Sequence, residues 1–308
     1  MFVYDPDPFL LPSYRISPFQ TSDIAFNATL NSNNSRKIFD QYLDDRFNQW
    51  FLTINGREAI RIALNQFDLS KESTVTILTT SGNKYISSCV TNEIERVCSW
   101  NRSLSSKTDL IFVNHEFGTV YPNMENLKKT GLPIIEDCCT TFFSDDEYGM
   151  LGKYGDFAVY SFPKFFPIQI GGVLVCNRGT KEFQSHLKQV ERDYIRNVVG
   201  KYLERKEELI EHRRAIMQYQ LSLFEEMGFS AFFEVNEKEI LSVLMLNNHG
   251  VIGDLSALKK YLWKNGIQAS VFYGEDAFFI PSHQRLNKMD VLYHYKLIEK
   301  YLTKNELL

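Results

Sequence analysis

Short apolar runs punctuate the middle of the chain: STVTILTT (73–80), DLIFVNH (109–115), LPIIEDC (132–138), FAVYSF (157–162) and GGVLVCN (171–177). Each is too short for a helix and rich in β-branched or aromatic residues, so each predicts a strand. Between them, YISSCVTNEIERVCSW and NMENLKKTG can supply crossover helices. Upstream, NGREAIRIALNQF sets Ala59, Ile60, Ile62, Ala63, Leu64 and Phe67 at mostly helical spacing behind a glycine and polar residues. This alternation predicts an α/β domain around a largely parallel sheet. Runs 157–162 and 172–176 are joined by too few residues for a helical crossover, which predicts an antiparallel edge there.

The flanks read differently. Residues 1–45 hold four of the nine prolines and the Asn/Ser cluster NATLNSNNS, so they are expected to form an irregular N-terminal arm with little regular structure. Residues 46–190 make up the expected α/β domain. From 191 to 228 the chain turns charged and helical, ending at Gly228 as a C′ residue and serving as a connector. Within 229–308, EILSVLMLNN, DLSALKKYLWKNG, QASVFY and KMDVLYHYKLIEKYL suggest a small α+β domain.

Composition narrows the function. With 44% hydrophobic and 14% aromatic residues, the chain has ample apolar surface to offset the entropy of ordering, which excludes a disordered protein. Its 34 basic residues against 38 acidic ones leave a net charge of −4, without the basic excess that drives phosphate-backbone binding, so no nucleic-acid partner is expected. No apolar stretch approaches the roughly 18 residues of a membrane span, and the opening residues lack the pattern of a secretory signal. A cytoplasmic protein with no membrane partner is expected. The five cysteines include no C-x-x-C pair and read as reduced thiols, with no metal site.

Three places carry candidate chemistry. In IIED, Asp137 ends a predicted strand, where open α/β sheets direct side chains into a ligand crevice; a capping role is the alternative. Lys164 sits among Phe162, Pro163, Phe165, Phe166 and Pro167, a setting that would desolvate its amine and favour Schiff-base chemistry, against the alternative of a snorkelling surface lysine. Asn55, Gly56, Arg57 and Glu58 mark a loop-to-helix junction, where the first free amides of a helix suit a phosphate or simply start an ordinary helix.

In order along the chain, NGREAI, VNHEFG, GLPIIEDCCT and YGDFAVYSFPK with its downstream Gly171–Gly172 pair resemble the DegT/DnrJ/EryC1/StrS family of pyridoxal-phosphate (PLP) sugar aminotransferases. The resemblance implies a fold-type I PLP-transferase: a mostly parallel, seven-stranded central sheet flanked by helices, with a smaller α+β C-terminal domain. It implies that Lys164 carries the internal aldimine and Asp137 pairs with the pyridine nitrogen. Gly56, Arg57 and Ser161 would hold the phosphate, and Tyr85 would stack on the ring. Where the family commonly has glutamine or histidine beside the ring hydroxyl, this chain has Thr140, which could still donate a hydrogen bond. The lysine loop is about two residues shorter than the usual form, and Ile170 replaces an acid before the double glycine.

His115, in VNHEFG, matches a family histidine but reads first as a structural residue; His283 and Arg285, near the late turn, could reach a substrate or serve as capping or surface groups. The implied activity is amination of a keto sugar, expected to be nucleotide-linked, with an amino acid such as glutamate as donor, in a homodimer. Two other readings stay open: a non-catalytic or regulatory protein of the same fold, and an α/β nucleotide-binding module whose acid and lysine are structural.

Overall fold

A computed structural model describes residues 14–179, 183 and 185–305. Two helices come first, α1 (Asp23–Thr29) and α2 (Asn33–Asp44). The larger unit then alternates β1 (Trp50–Thr53), α3 (Gly56–Leu64), β2 (Thr74–Thr79), α4 (Ser88–Glu95), β3 (Ser99–Asn101), β4 (Leu110–Asn114), α5 (Met124–Lys128), β5 (Ile134–Asp137), β6 (Phe157–Ser161) and β7 (Gly172–Cys176). Its seven strands form one sheet in the order β1-β7-β6-β5-β4-β2-β3.

Only β7 runs against the others, pairing antiparallel with both β6 and β1, while β2 through β6 pair in parallel. The β6–β7 turn is antiparallel as the short connection predicts, but β1 lies outside it and takes the edge. Strand alternation divides the core between the faces of the sheet. Phe112, Ile135 and Val159 pack with Ala59, Ile60 and Val90 of α3 and α4, whereas Ile111, Val113 and Ile134 meet Met124 and Leu127 of α5. Burial on both faces explains why these strands read as continuous apolar runs.

The arm is more ordered than its composition suggests. Residues 1–13 lie outside the described part, but α1 and α2 occupy much of 23–44. The polar cluster that resembles a loop is a helix start: the Ser32 side chain accepts a hydrogen bond from the Ser35 amide, and Phe39 and Leu43 bury one face of α2. That face packs on α6 (Gln189–Leu203), with Ile195, Val198 and Val199 in the same cluster. The helices meet at Gly200, where a Cβ atom would lie 1.9 Å from the Ser35 carbonyl oxygen.

The connector is two helices, α6 and α7 (Lys206–Glu225), and α7 ends near Gly228, whose φ of +91° is the left-handed conformation expected there. The smaller unit contains β8 (Ser230–Ala231), β9 (Val243–Asn247), α8 (Leu255–Lys264), β10 (Ser270–Val271), β11 (Ala277–Pro281) and α9 (Lys288–Asn305). Its four strands form an antiparallel sheet, β10-β11-β9-β8. Phe224, Leu246, Leu258, Phe278 and Leu297 close its core.

The arm is stitched onto this unit. Tyr14 donates its amide to the Gly266 carbonyl (2.9 Å) and accepts from the Gln268 amide (2.8 Å). Arg285 donates to Asp23 (2.5 Å) and to the Pro18 carbonyl (3.2 Å). No described helix is long and apolar enough to cross a membrane.

Candidate active site

The carboxyl ends of β4, β5 and β6 open into a cavity of about 490 Å³ whose opposite wall comes from the smaller unit. Gly56, Arg57, Tyr85, Asp137, Thr140, Ser161 and Lys164 all line it. Sheet register explains the convergence: Asn114 of β4 lies beside Asp137 of β5, which in turn neighbours Val159 of β6, two residues before Ser161.

Asp137 is nearly buried and held at both oxygens. Its Oδ2 accepts from Asn114 Nδ2 (2.8 Å) and its Oδ1 from the Cys139 amide (3.1 Å), so the local cap and the cavity-facing acid are one residue. The adjacent Glu136 points to the other face, accepting from the amides of Gly152 (3.1 Å) and Gly155 (2.7 Å). His115 belongs to that structural group. Its Nδ1 accepts from the Tyr121 amide (3.0 Å), which leaves the ring proton on Nε2 to meet Glu136 (3.2 Å).

Lys164 closes the short 3₁₀ turn that follows β6. The aromatic shell expected around its amine is not there: Phe162, Phe165 and Phe166 turn into the core against Phe142, while Lys164 faces the cavity. The turn is held from the connector. Arg213, fully buried and over the Phe165 ring, donates to the carbonyls of Lys164 (3.4 Å) and Leu241 (3.2 Å), and Gln284 donates to the Phe165 carbonyl (2.6 Å). Burial lowers the Arg213 guanidinium to about 9.

At the third corner, α3 begins with Asn55, whose side chain accepts from the Glu58 amide (3.0 Å), while Glu58 accepts from the Ile54 amide (2.6 Å). The amides of Gly56 and Arg57 remain at the helix start, on the cavity. A Cβ at Gly56 would approach Cys139 Sγ to 2.8 Å, so glycine lets the start of α3 pack closely against the turn after β5.

Two expectations need correction. Thr140 gives its hydroxyl proton to the His115 carbonyl (2.8 Å), which leaves it only acceptor capacity toward the cavity. His283 and Arg285 lie away from this cavity: His283 meets the Arg15 carbonyl (3.1 Å), and Arg285 grips the arm. Tyr85 lines the cavity and packs against Phe272 and Tyr273 of the smaller unit, its phenol raised first by burial and then by Tyr273 and Glu116.

Sequence reading gave no role to Asn114, Glu116 or Cys139, although the first two stand in VNHEFG and the third in GLPIIEDCCT. It also missed the far wall, which Val243, Trp263, Gln268 and Phe279 form together with Ile16 of the arm.

The corners suit PLP in kind: an acid for a ring nitrogen, an amine for an aldehyde, and helix-start amides with a hydroxyl for a phosphate.

Residues 96–186, which include both Asp137 and Lys164, match the model of the DegT/DnrJ/EryC1/StrS aminotransferase family. No curated protein matches the chain in sequence. Among solved structures, the aminotransferase TlmJ from Streptoalloteichus hindustanus is similar with a TM-score of 0.72 at 15% identity, covering 95% of this chain and 98% of that one. Spr1654 from Streptococcus pneumoniae in its PLP-form gives 0.69 at 14% identity, covering 98% and 99%. Helicobacter pylori PseC, an aminotransferase involved in the biosynthesis of pseudoaminic acid, gives 0.66 at 13%, covering 96% and 100%. The fold is that of the fold-type I PLP aminotransferases.

Proposed function

We propose that this chain, with the DegT/DnrJ/EryC1/StrS pattern spanning its acid and its lysine, is a PLP-dependent sugar aminotransferase. It moves an amino group from an amino acid to a keto sugar, which we take to be nucleotide-linked. The observation that carries the reading is that Asp137, Lys164 and the α3 amides meet on one cavity. Bound PLP supplies an electrophilic aldehyde and an electron sink for the substrate carbon.

The chain's own residues would do the rest. Asp137, oriented by Asn114 and the Cys139 amide, would hold a proton at the ring nitrogen and keep the sink effective. Lys164 Nζ would bind the aldehyde at rest and, once displaced by the donor's amine, carry a proton from the substrate carbon as base and return it as acid. The amides of Gly56 and Arg57, with the Ser161 hydroxyl, would fix the phosphate, and Tyr85 would cover the ring. We further take the working form to be a two-fold dimer, as the family resemblance implies.

Borohydride reduction of the PLP-loaded protein should fix label on Lys164, read by peptide mapping. Lys164→Ala should abolish that label and lower transamination at least about a thousandfold, since it removes both covalent attachment and the proton carrier. Label elsewhere, or a variant as fast as the wild type, would overturn the assignment. The committed Thr140 proton and the shortened loop favour one other reading, a regulatory protein that binds PLP without turnover. Labelled Lys164 with no amino-acid reaction would select it.

A further inference from the structure

Besides Asp137, the cavity wall carries one other carboxylate among its described lining residues, Glu116, and the chemistry above leaves it without a task. Glu116 opens the short turn after β4 and is 3% exposed. The turn is rigidly placed. The Glu116 amide donates to Thr80 Oγ1 (3.1 Å), and the Phe117 carbonyl accepts from the Ser242 amide of the smaller unit (2.6 Å). Phe117 has a φ of +54°, and a Cβ at Gly118 would lie 2.3 Å from the Ile240 carbonyl oxygen, so the loop has little room to move.

The carboxylate is half satisfied. Ser81 gives Oε2 both its amide (2.7 Å) and its hydroxyl (2.6 Å). No described donor reaches Oε1. The cation behind it, Arg102, donates instead to Thr79 Oγ1 (2.9 Å) and to the Asn83 carbonyl. Next to Glu116, Phe117 packs with Val243 and Phe279, and all three line the cavity. A substrate group that reaches this spot meets an acceptor with little water to screen it.

We propose that Glu116 is a specificity residue: through Oε1 it accepts a hydrogen bond from a hydroxyl or primary amide of the substrate, and it turns away a carboxylate at the same position. The inference rests on the aminotransferase reading and sharpens it, because it makes an amide-bearing amino acid a better nitrogen donor than its dicarboxylic counterpart. Burial raises the Glu116 carboxyl, opposed by the Ser81 donors and Arg102.

L-Glutamine and L-glutamate have nearly the same shape and differ in charge at the end that matters. With the PLP-loaded protein, the absorbance change on adding each amino acid measures the donor half-reaction without any sugar. The wild type should favour glutamine by at least about tenfold. Glu116→Gln, which can still accept from Ser81, should narrow the ratio to within about threefold, mainly by improving glutamate, with PLP affinity unchanged. A wild type that favours glutamate overturns the proposal without recourse to any variant, as does a ratio unaltered in Glu116→Gln. If neither amino acid changes the absorbance, the aminotransferase reading falls and this inference with it, an outcome distinct from a wrong ratio.

Discussion

At the scale of single residues, the site depends on side chains that hold other side chains. Asn114 touches no expected ligand group, yet it is one of two donors to Asp137. A hydrogen bond to a charged group contributes about 1.5–3 kcal/mol, so Asn114→Ala should weaken PLP binding at least about tenfold, measured by absorbance titration, while the fold persists. Asp137 itself was legible as an acid at the end of a strand, where open α/β sheets direct side chains into a crevice, while only the structure shows that the adjacent Glu136 staples the opposite face. Asn114 and Glu116 were not legible. Their roles come from the register between β4 and β5 and from the Ser81 loop after β2, neither of which is written in local sequence. Lys164 was found for a partly wrong reason. Its aromatic neighbours in sequence form the core beneath it, not a shell around the amine.

At the scale of elements, β2 and β4 to β7 were legible as apolar runs, whereas β1 and β11 were not. Strand β1 has four residues, and β11 ends on Pro281, a residue that argues against a strand when read alone. Helix α2 was hidden by its surroundings. Ile38, Phe39, Tyr42 and Leu43 have helical spacing, but the prolines before them and the Asn/Ser cluster suggested a loop. The partner that orders α2 lies over 150 residues away, at Gly200 of α6. Gly200→Ala tests that contact. Alanine gains about 1 kcal/mol of helix propensity, but its methyl would meet the fixed Ser35 carbonyl, and overpacking of that kind costs about 1–3 kcal/mol. Because the obstacle is backbone, we expect a net loss of stability of about 1–2 kcal/mol in urea denaturation, with PLP binding retained.

At the scale of the whole molecule, two buried histidines tie stability to pH. Burial pushes His294 from 6.5 down to about 3, and burial with nearby Arg213 does the same to His283. Both ring nitrogens of His294 lack a hydrogen-bond partner among the described residues, and the ring stands edge-on to Tyr14 of the arm. The unfolded chain protonates these rings near pH 6.5 and the folded one near 3, so their contribution is complete above about 6.5 and fades as pH falls between those values. Each group should cost about 1.4 kcal/mol per pH unit across that window. His294→Phe keeps a ring against Tyr14 and removes the buried polar atoms. It should leave stability at pH 7.5 equal or higher and flatten the decline toward pH 5 by about one proton, read from melting temperatures across the range.

The stitches between the arm and the smaller unit join residues 14–23 to residues 266–285. During translation, the early segment leaves the ribosome long before its partners have been made. Asp137 can take its place at the end of its strand in the meantime, but the Lys164 turn, which Gln284 helps to hold, and the wall that bears Ile16 must wait. The pocket is therefore completed late, and a ribosome stalled before codon 266 would hold a cleft still open on one side.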